Sequence, residues 1–255
     1  MKKLLFGTIG FAALIVTPAL AADMALKAPP PPPVDIWAGW YVGVNIGGSW
    51  GRAHDTTTYG APPVPFTSTS SHLDGVIGGG QVGYNWHSSN WLFGVEADIQ
   101  GSGERGTATT SLFIPGVGCT FAPCGTAATL VDQEKLPWFG TLRARVGVLA
   151  APTWLFYVTG GLAYGEIKSS EIGTGTTIIT TTIVNNFNTT RAGWTVGGGI
   201  EGVISGNWTG KLEYLYMDFG TINYTYAGLG VFNPVFLSTR VTDNVVRVGL
   251  NYHFH

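Results

Sequence analysis

From Trp40 onward the chain alternates apolar and polar positions with a period of two, which is the pattern of β-strands with one face out of water. The stretch Val76–Gln100 carries it most clearly. Val76, Gly78, Gly80, Val82, Tyr84 and Trp86 share one face, with Ile77, Gly79, Gln81, Gly83 and Asn85 on the other. After a polar Ser88-Ser89-Asn90 turn, Trp91, Phe93, Val95, Ala97 and Ile99 alternate with Leu92, Gly94, Glu96, Asp98 and Gln100. Two such runs joined by a short polar link predict a hairpin. Its acids lie on the side of Gln81 and Asn85, opposite a band of Trp, Phe, Val and Ile. A soluble sandwich would turn that band toward a core and leave the acids outside. A membrane barrel would turn the band toward lipid and the acids toward its interior.

The same alternation recurs in Trp40–Trp50, Leu136–Leu149, Trp154–Tyr164, Arg191–Val203, Trp208–Phe219 and Val246–Phe254, giving eight strands in all. Four long connections (Arg52–Asp74, Gly101–Lys135, Glu166–Thr190 and Gly220–Thr242) alternate with three short ones at Ser88–Asn90, Ala150–Thr153 and Ser205–Asn207. An even strand count with connections sorted by length predicts an all-β fold, an eight-stranded antiparallel up-and-down transmembrane β-barrel with long external loops and short periplasmic turns. Of nine tryptophans, Trp40, Trp50, Trp86, Trp91, Trp138, Trp154, Trp194 and Trp208 fall at or near strand ends, and Trp37 sits just before the first strand. Amphipathic rings at both ends of apolar strands predict two lipid-interface girdles.

The amino terminus agrees with export. Lys2 and Lys3, the apolar run Leu4–Val16 and Ala19-Leu20-Ala21 read as a signal peptide over residues 1–21. Residues 22–36 form a periplasmic linker stiffened by Pro29 to Pro33, and 37–255 the barrel domain. Charged residues are only 11% of the chain and aromatics 13%, too poor in charge for an ordinary soluble surface and too apolar for disorder. A net charge of −2 argues against nucleic acid as a partner.

The candidate chemistry lies on the inward face. Glu96, Asp98, Arg143, Arg145, Glu201, Lys211, Glu213 and Arg247 all fall there, with both signs present. An eight-stranded barrel is just wide enough for its own side chains to fill, and an unpaired buried charge is very costly. A lumen charge network is therefore expected, with Glu96 and Asp98 as partners of Arg143, Arg145 or Lys211. Catalytic carboxylates or an anion-selective constriction are the competing readings. Inward glycines (Gly43, Gly47, Gly79, Gly83, Gly147, Gly197 and Gly199) leave space that water could occupy, which keeps a narrow pore open as a reading. Cys119 and Cys124 are expected to close a small disulfide in an exported chain. His54 and His72, beside Ser70 and Ser71, would need an acid to make a hydrolytic set, and no spacing requires one. His253 and His255 alternate onto one face without the further ligands a metal needs. No enzyme activity, metal or cofactor is expected.

The segments KAPPPPP, WAGWYVGVNIGGSWG, GGGQVGYNWHSSNWLFGVEADIQGS, WFGTLRARVGV, WLFYVTGGLAYG, GWTVGGGIE, LEYLYMDFG and VRVGLNYHF together resemble a family of alphaproteobacterial outer-membrane β-barrels, the RopB-like immunogenic outer-membrane proteins often labelled a porin family. The resemblance spans essentially the whole mature chain. It implies residence in the outer membrane lipid and insertion by the barrel-assembly machinery, which reads a terminal aromatic residue. Here that residue is Phe254, followed by His255. Members of the family are linked to envelope integrity, to host-surface interaction and in some cases to haemin binding. The function expected for this chain is accordingly structural and surface-exposed, with a narrow porin-like channel or loop-mediated binding of a haemin-type or host ligand as alternatives.

Overall fold

The computed structural model describes residues 35–60, 63–115, 125–176, 180–226 and 234–254. Cys119 and Cys124, the expected signal peptide, His255 and all but the last two residues of the proline-rich linker lie outside them. Eight strands, β1 (Gly39–Tyr59), β2 (Val64–Ser88), β3 (Trp91–Pro115), β4 (Gly125–Ala151), β5 (Trp154–Thr176), β6 (Thr180–Ser205), β7 (Trp208–Tyr226) and β8 (Val235–His253), lie in one compact unit, Val34–His255. Each pairs antiparallel with its chain neighbour, and β1 pairs with β8 to close the barrel. The turns β2–β3, β4–β5 and β6–β7 are two residues each, set by Ser89 (φ 58°) in the first and Gly206 (φ 53°) in the third.

Strand length departs from the sequence expectation. The strands run for 19 to 27 residues, whereas crossing a bilayer takes about 9–11. The four long connections remain long in chain, but most of each is the outward continuation of the flanking strands. The reason is chemical. Above the membrane no face must be apolar, so Thr, Ser and Asn occupy both sides of Asp55–Thr58, Thr107–Ser111 and Thr182–Thr190. The period-two contrast vanishes there while β-branched Thr still favours extended backbone.

Within the span the outward face is apolar. Val42, Val44, Ile46, Val82, Phe93, Val95, Leu142, Val158, Leu162, Val196, Leu212 and Val248 are all exposed. Trp40, Trp86, Trp91, Trp154 and Trp208 ring the short-turn end, and Trp50, Trp138 and Trp194 the other. Three layers fill the inside. At the short-turn end Trp37, Leu92, Leu149, Leu155 and Tyr157 form an apolar cap. The charged residues come next. Beyond them Ala53, Leu73, Ile77, Leu136, Phe139, Ala163, Ile167, Leu215, Met217, Phe219, Val241 and Val245 make a second apolar core.

Above this core the wall divides. Among the described residues, the β2–β3 register ends at Asp74↔Arg105 and the β6–β7 register at Trp194↔Asp218. Pairing persists within β7-β8-β1-β2 and within β3-β4-β5-β6, so two four-stranded sheets project outward. Side chains bridge the two seams: Thr69 Oγ1 lies 2.6 Å from Thr110 Oγ1, and the Phe187 and Tyr224 rings stack at 4.4 Å.

Candidate functional site, a charged layer across the lumen

Strand register alone sets opposite charges side by side. Glu96 on β3 faces Arg143 on β4, Glu201 on β6 faces Lys211 on β7, and Glu213 on β7 faces Arg247 on β8. Such cross-strand pairs are favourable where like charges would be destabilising. The eight side chains then converge across the barrel. Arg143 reaches Asp98 (3.0 Å) and Glu213 (3.0 Å) and is paired with Glu96. Lys211 Nζ lies 3.1 Å from both Glu96 oxygens. Arg247 donates through Nε to Glu213 (2.7 Å) and through Nη2 to Asp98 (2.9 Å). Arg145 pairs with Glu201 at 3.1 Å, with Glu96 farther off at 3.9 Å. Four carboxylates and four cations thus sum to zero charge in one layer, and no member exceeds 4% exposure.

Neutral groups take up part of the remaining hydrogen-bonding capacity, and these the sequence reading missed, while Asp98 Oδ1, Arg143 Nε, Arg145 Nη2 and Arg247 Nη1 stay buried without a hydrogen-bond partner among the described residues. Tyr41 donates to Glu96 (2.7 Å), Tyr157 to Glu213 (3.0 Å), Thr141 to Asp98 (2.8 Å) and Thr209 to Glu201 (2.6 Å). Asn251 donates to Glu201 (2.8 Å), and Asn85 accepts from Arg145 Nε (2.9 Å). The Arg145 guanidinium lies over the Tyr41 ring at 4.7 Å, and the His253 ring stacks against Tyr41 at 5.2 Å. With Tyr41 on β1, Asn85 on β2 and Tyr157 on β5, all eight strands contribute. The inward position of each neutral residue on its own strand was the available signal, but polar uncharged side chains do not stand out from a polar face.

The glycine hollows are filled. A Cβ on Gly83 would collide with the Tyr41 ring, one on Gly43 with Asn251 and Gln81, and one on Gly94 with Asn85 and Arg145. The space that suggested water is occupied by the long side chains of the layer. His54 Nδ1 lies 2.9 Å from Ser70 Oγ on the exposed outer face, while Asp55 points inward and is buried, and no acid hydrogen-bonds to this pair among the described residues. His253 is buried beside Thr209 and Glu201, and no cluster of three metal-binding side chains occurs among the described residues.

A second, acidic group lies beyond the membrane span, mostly in segments the sequence reading assigned to loops. Glu104, Glu134, Asp243 and Asp55 are buried and Asp132 half-buried on the inward face, with Arg191 as a cation on the inward alternation of β6. Burial pushes the Asp243 carboxyl up to about 9, helped by neighbouring Glu104 and Asp74. Burial, with Asp55 and Asp132 adding repulsion, pushes Glu134 up to about 8, and burial with Glu171 and Asp55 pushes Asp132 up to about 7. Glu104 and Asp55 are raised by burial as well. These carboxyls hold protons in the folded state that the unfolded chain would release near pH 4. The stability these carboxyls contribute is therefore fully present below about pH 4 and is lost as pH rises from about 4 through about 9. Hydrogen exchange of strand segments 51–58 and 235–243 at constant ionic strength should be slower at pH 5 than at pH 9 after correction for intrinsic rates. Equal or greater protection at pH 9 would contradict the assignment.

Comparison with known proteins places these features in context. A family model described as outer membrane protein beta-barrel domain matches residues 9–254. The 31 kDa outer-membrane immunogenic protein of Brucella melitensis biotype 1 is 38% identical, over 100% of both chains. The 22 kDa outer membrane protein of Rhizobium leguminosarum bv. viciae is 29% identical, over 88% of this chain and 82% of the relative. Among solved structures, the outer membrane protease OmpT of Escherichia coli superposes with a TM-score of 0.52 at 11% identity, covering 85% of this chain and 97% of its own. At that identity the likeness concerns fold alone.

Proposed function

The chain belongs to the outer membrane protein β-barrel family and resides in the outer membrane, and from that premise we propose that it is a sealed structural and surface-display barrel. The observation that carries this reading is the neutral, eight-member ion layer, joined by neutral side chains so that every strand contributes, and backed on each side by an apolar core. In this reading the eight tryptophans hold the barrel between the two lipid interfaces. Residues 1–21 direct export and are removed, and 22–36 tether the barrel on its periplasmic side. Phe254, whose backbone N–H donates to Trp40 O at 2.8 Å, serves as the terminal mark for the assembly machinery. A Cys119–Cys124 bridge would stiffen the β3–β4 connection. The extracellular sheets supply the surface by which such a protein meets its surroundings, which agrees with the immunogenic character in the relatives' names.

Planar-bilayer recording of the refolded chain tests the reading against a narrow channel. No stable single-channel steps are expected at voltages up to about 100 mV. Steady steps that disappear on neutralising Arg143 and Arg145 would establish a pore instead.

A further inference from the structure

Apart from Arg191, the cations outside the ion layer among the described residues (Arg52, Arg105, Lys135, Lys168 and Arg240) are exposed on the outer face of the barrel, and three of them form a row. Arg105 on β3 stands directly opposite Lys135 on β4, which stands directly opposite Lys168 on β5. All three are exposed. Two successive like-charge pairs in cross-strand register, with Cβ atoms about 5 Å apart, are destabilising unless something negative lies between them. The protein supplies little of it. Asp74 faces Arg105 at the start of the row without an ion pair, and Glu166 pairs with Lys168 at 3.6 Å while accepting from Trp138 Nε1 at 3.1 Å. Among the described residues Arg105 and Lys135 have no ion-pair partner.

The position of the row is informative. It lies one outward-facing step beyond Trp138 on β4, across the bulge between Lys135 and Trp138. Two to three residues along a tilted strand place it about 5–7 Å above the girdle. The polar layer of a bilayer extends over about that distance beyond the hydrocarbon. Lys135 and Lys168 also line an open groove of about 310 Å³ whose other walls are Gln133, Ser169, Ser170, Asn186, Phe187 and Asn188. Cations at headgroup depth call for phosphate, and amides with a hydroxyl beside them call for a sugar rather than a bare lipid phosphate.

We propose that the outer face of β3–β5 binds the phosphorylated sugar headgroup of an anionic glycolipid of the outer leaflet, with Arg105, Lys135 and Lys168 holding the phosphate and the adjoining groove holding the sugar. The bound phosphate offsets the repulsion along the row and Trp138 packs against the lipid below it. The surface is distinct from the lumen and from the extracellular tips.

Native mass spectrometry of the full-length refolded barrel in neutral detergent tests this, using a bis-phosphorylated lipid A-type glycolipid, its dephosphorylated form and phosphatidylglycerol. The bis-phosphorylated lipid should bind at least tenfold more tightly to the wild-type chain than to the R105Q/K135Q/K168Q variant. It should also bind at least tenfold more tightly than either other lipid. An R52Q/R240Q variant, changed by the same kind of charge loss elsewhere on the outer face, should bind as the wild type does. Retained binding in the triple variant overturns the proposal, as does equal binding of the dephosphorylated lipid. Equal binding of phosphatidylglycerol reduces the site to a nonspecific anionic surface and overturns it too. Heat-modifiable gel migration confirms that each variant is folded. Should the triple variant not fold, Lys135→Gln must weaken binding and Lys135→Arg restore it.

Discussion

Replacing Arg143 by methionine should lower the stability of the folded barrel by about 3–5 kcal/mol, the range seen when one partner of a buried ion pair is removed. Arg143 touches Glu96, Asp98 and Glu213, all shielded from water. Methionine approximates the length of the side chain, so the loss is mainly electrostatic rather than a cavity. The layer would go from balance to an excess negative charge, and the three carboxylates would lose their shared donor. Urea titration of the refolded protein, followed by the shift between folded and heat-denatured gel positions, provides the measurement. The R143M/E213Q double variant restores neutrality and should recover at least half of the loss. If R143M costs under about 1 kcal/mol, the layer is open to water and the sealed-barrel reading falls with it.

The second large effect is expected at Trp37. This side chain is 2% exposed and packs at the short-turn end with Leu92, Leu149, Leu155 and Tyr157. Its indole N–H donates to Pro152 O at 2.9 Å, its carbonyl accepts from Asn85 Nδ2 at 3.1 Å, and its ring meets His253 edge-on at 6.0 Å. Trp37→Ala should destabilise by about 3–5 kcal/mol through lost burial and the cavity left behind. Trp37→Phe keeps most of the apolar volume and should cost about 1–2 kcal/mol, the hydrogen bond and the smaller ring. The pair of values separates a packed cap from a girdle residue. A tryptophan at the lipid interface would lose little on either change, so near-equal small costs would move Trp37 out of the interior.

Trp37 also shows where sequence reasoning stops. The alternation begins at Trp40, so a tryptophan three residues earlier reads as part of the lead-in. Only the barrel's end, assembled from β3, β4 and β5, reveals that the lead-in folds inward beneath it. Within the membrane the strands and their faces were legible because physics is strict there: a residue faces lipid or lumen, and charged side chains such as Glu96, Asp98, Arg143 and Arg145 are admitted by only one of them. Which acid meets which base depends on register and on depth across the barrel, and neither is written in a single strand. Asp98, for example, meets Arg247 from β8, 149 positions away, rather than Arg145. Above the membrane the contrast between faces is lost, so Glu104, Asp132 and Glu134 passed as loop acids and Asp243 fell between the last loop and the last strand. The spacing Asp132-x-Glu134 opposite Ser169-x-Glu171 carries a faint period of two, and Asp243 shares its face with Arg247 four residues on.

The composition of the ion layer has a kinetic consequence. Its carboxylates come from β3, β6 and β7 and its cations from β4, β7 and β8, so among neighbouring strands only the β3–β4 pair carries both signs in equal number. Glu96, Asp98 and Arg143 meet early, but Asp98 and Glu213 lack one of their cations until the last strand brings Arg247. A half-closed intermediate bears the desolvation of these groups without their full attraction. Contacts of such sequence separation also form late and slowly. Closure of the barrel should therefore behave as a single committed step, with the final strand acting as the latch that neutralises the interior.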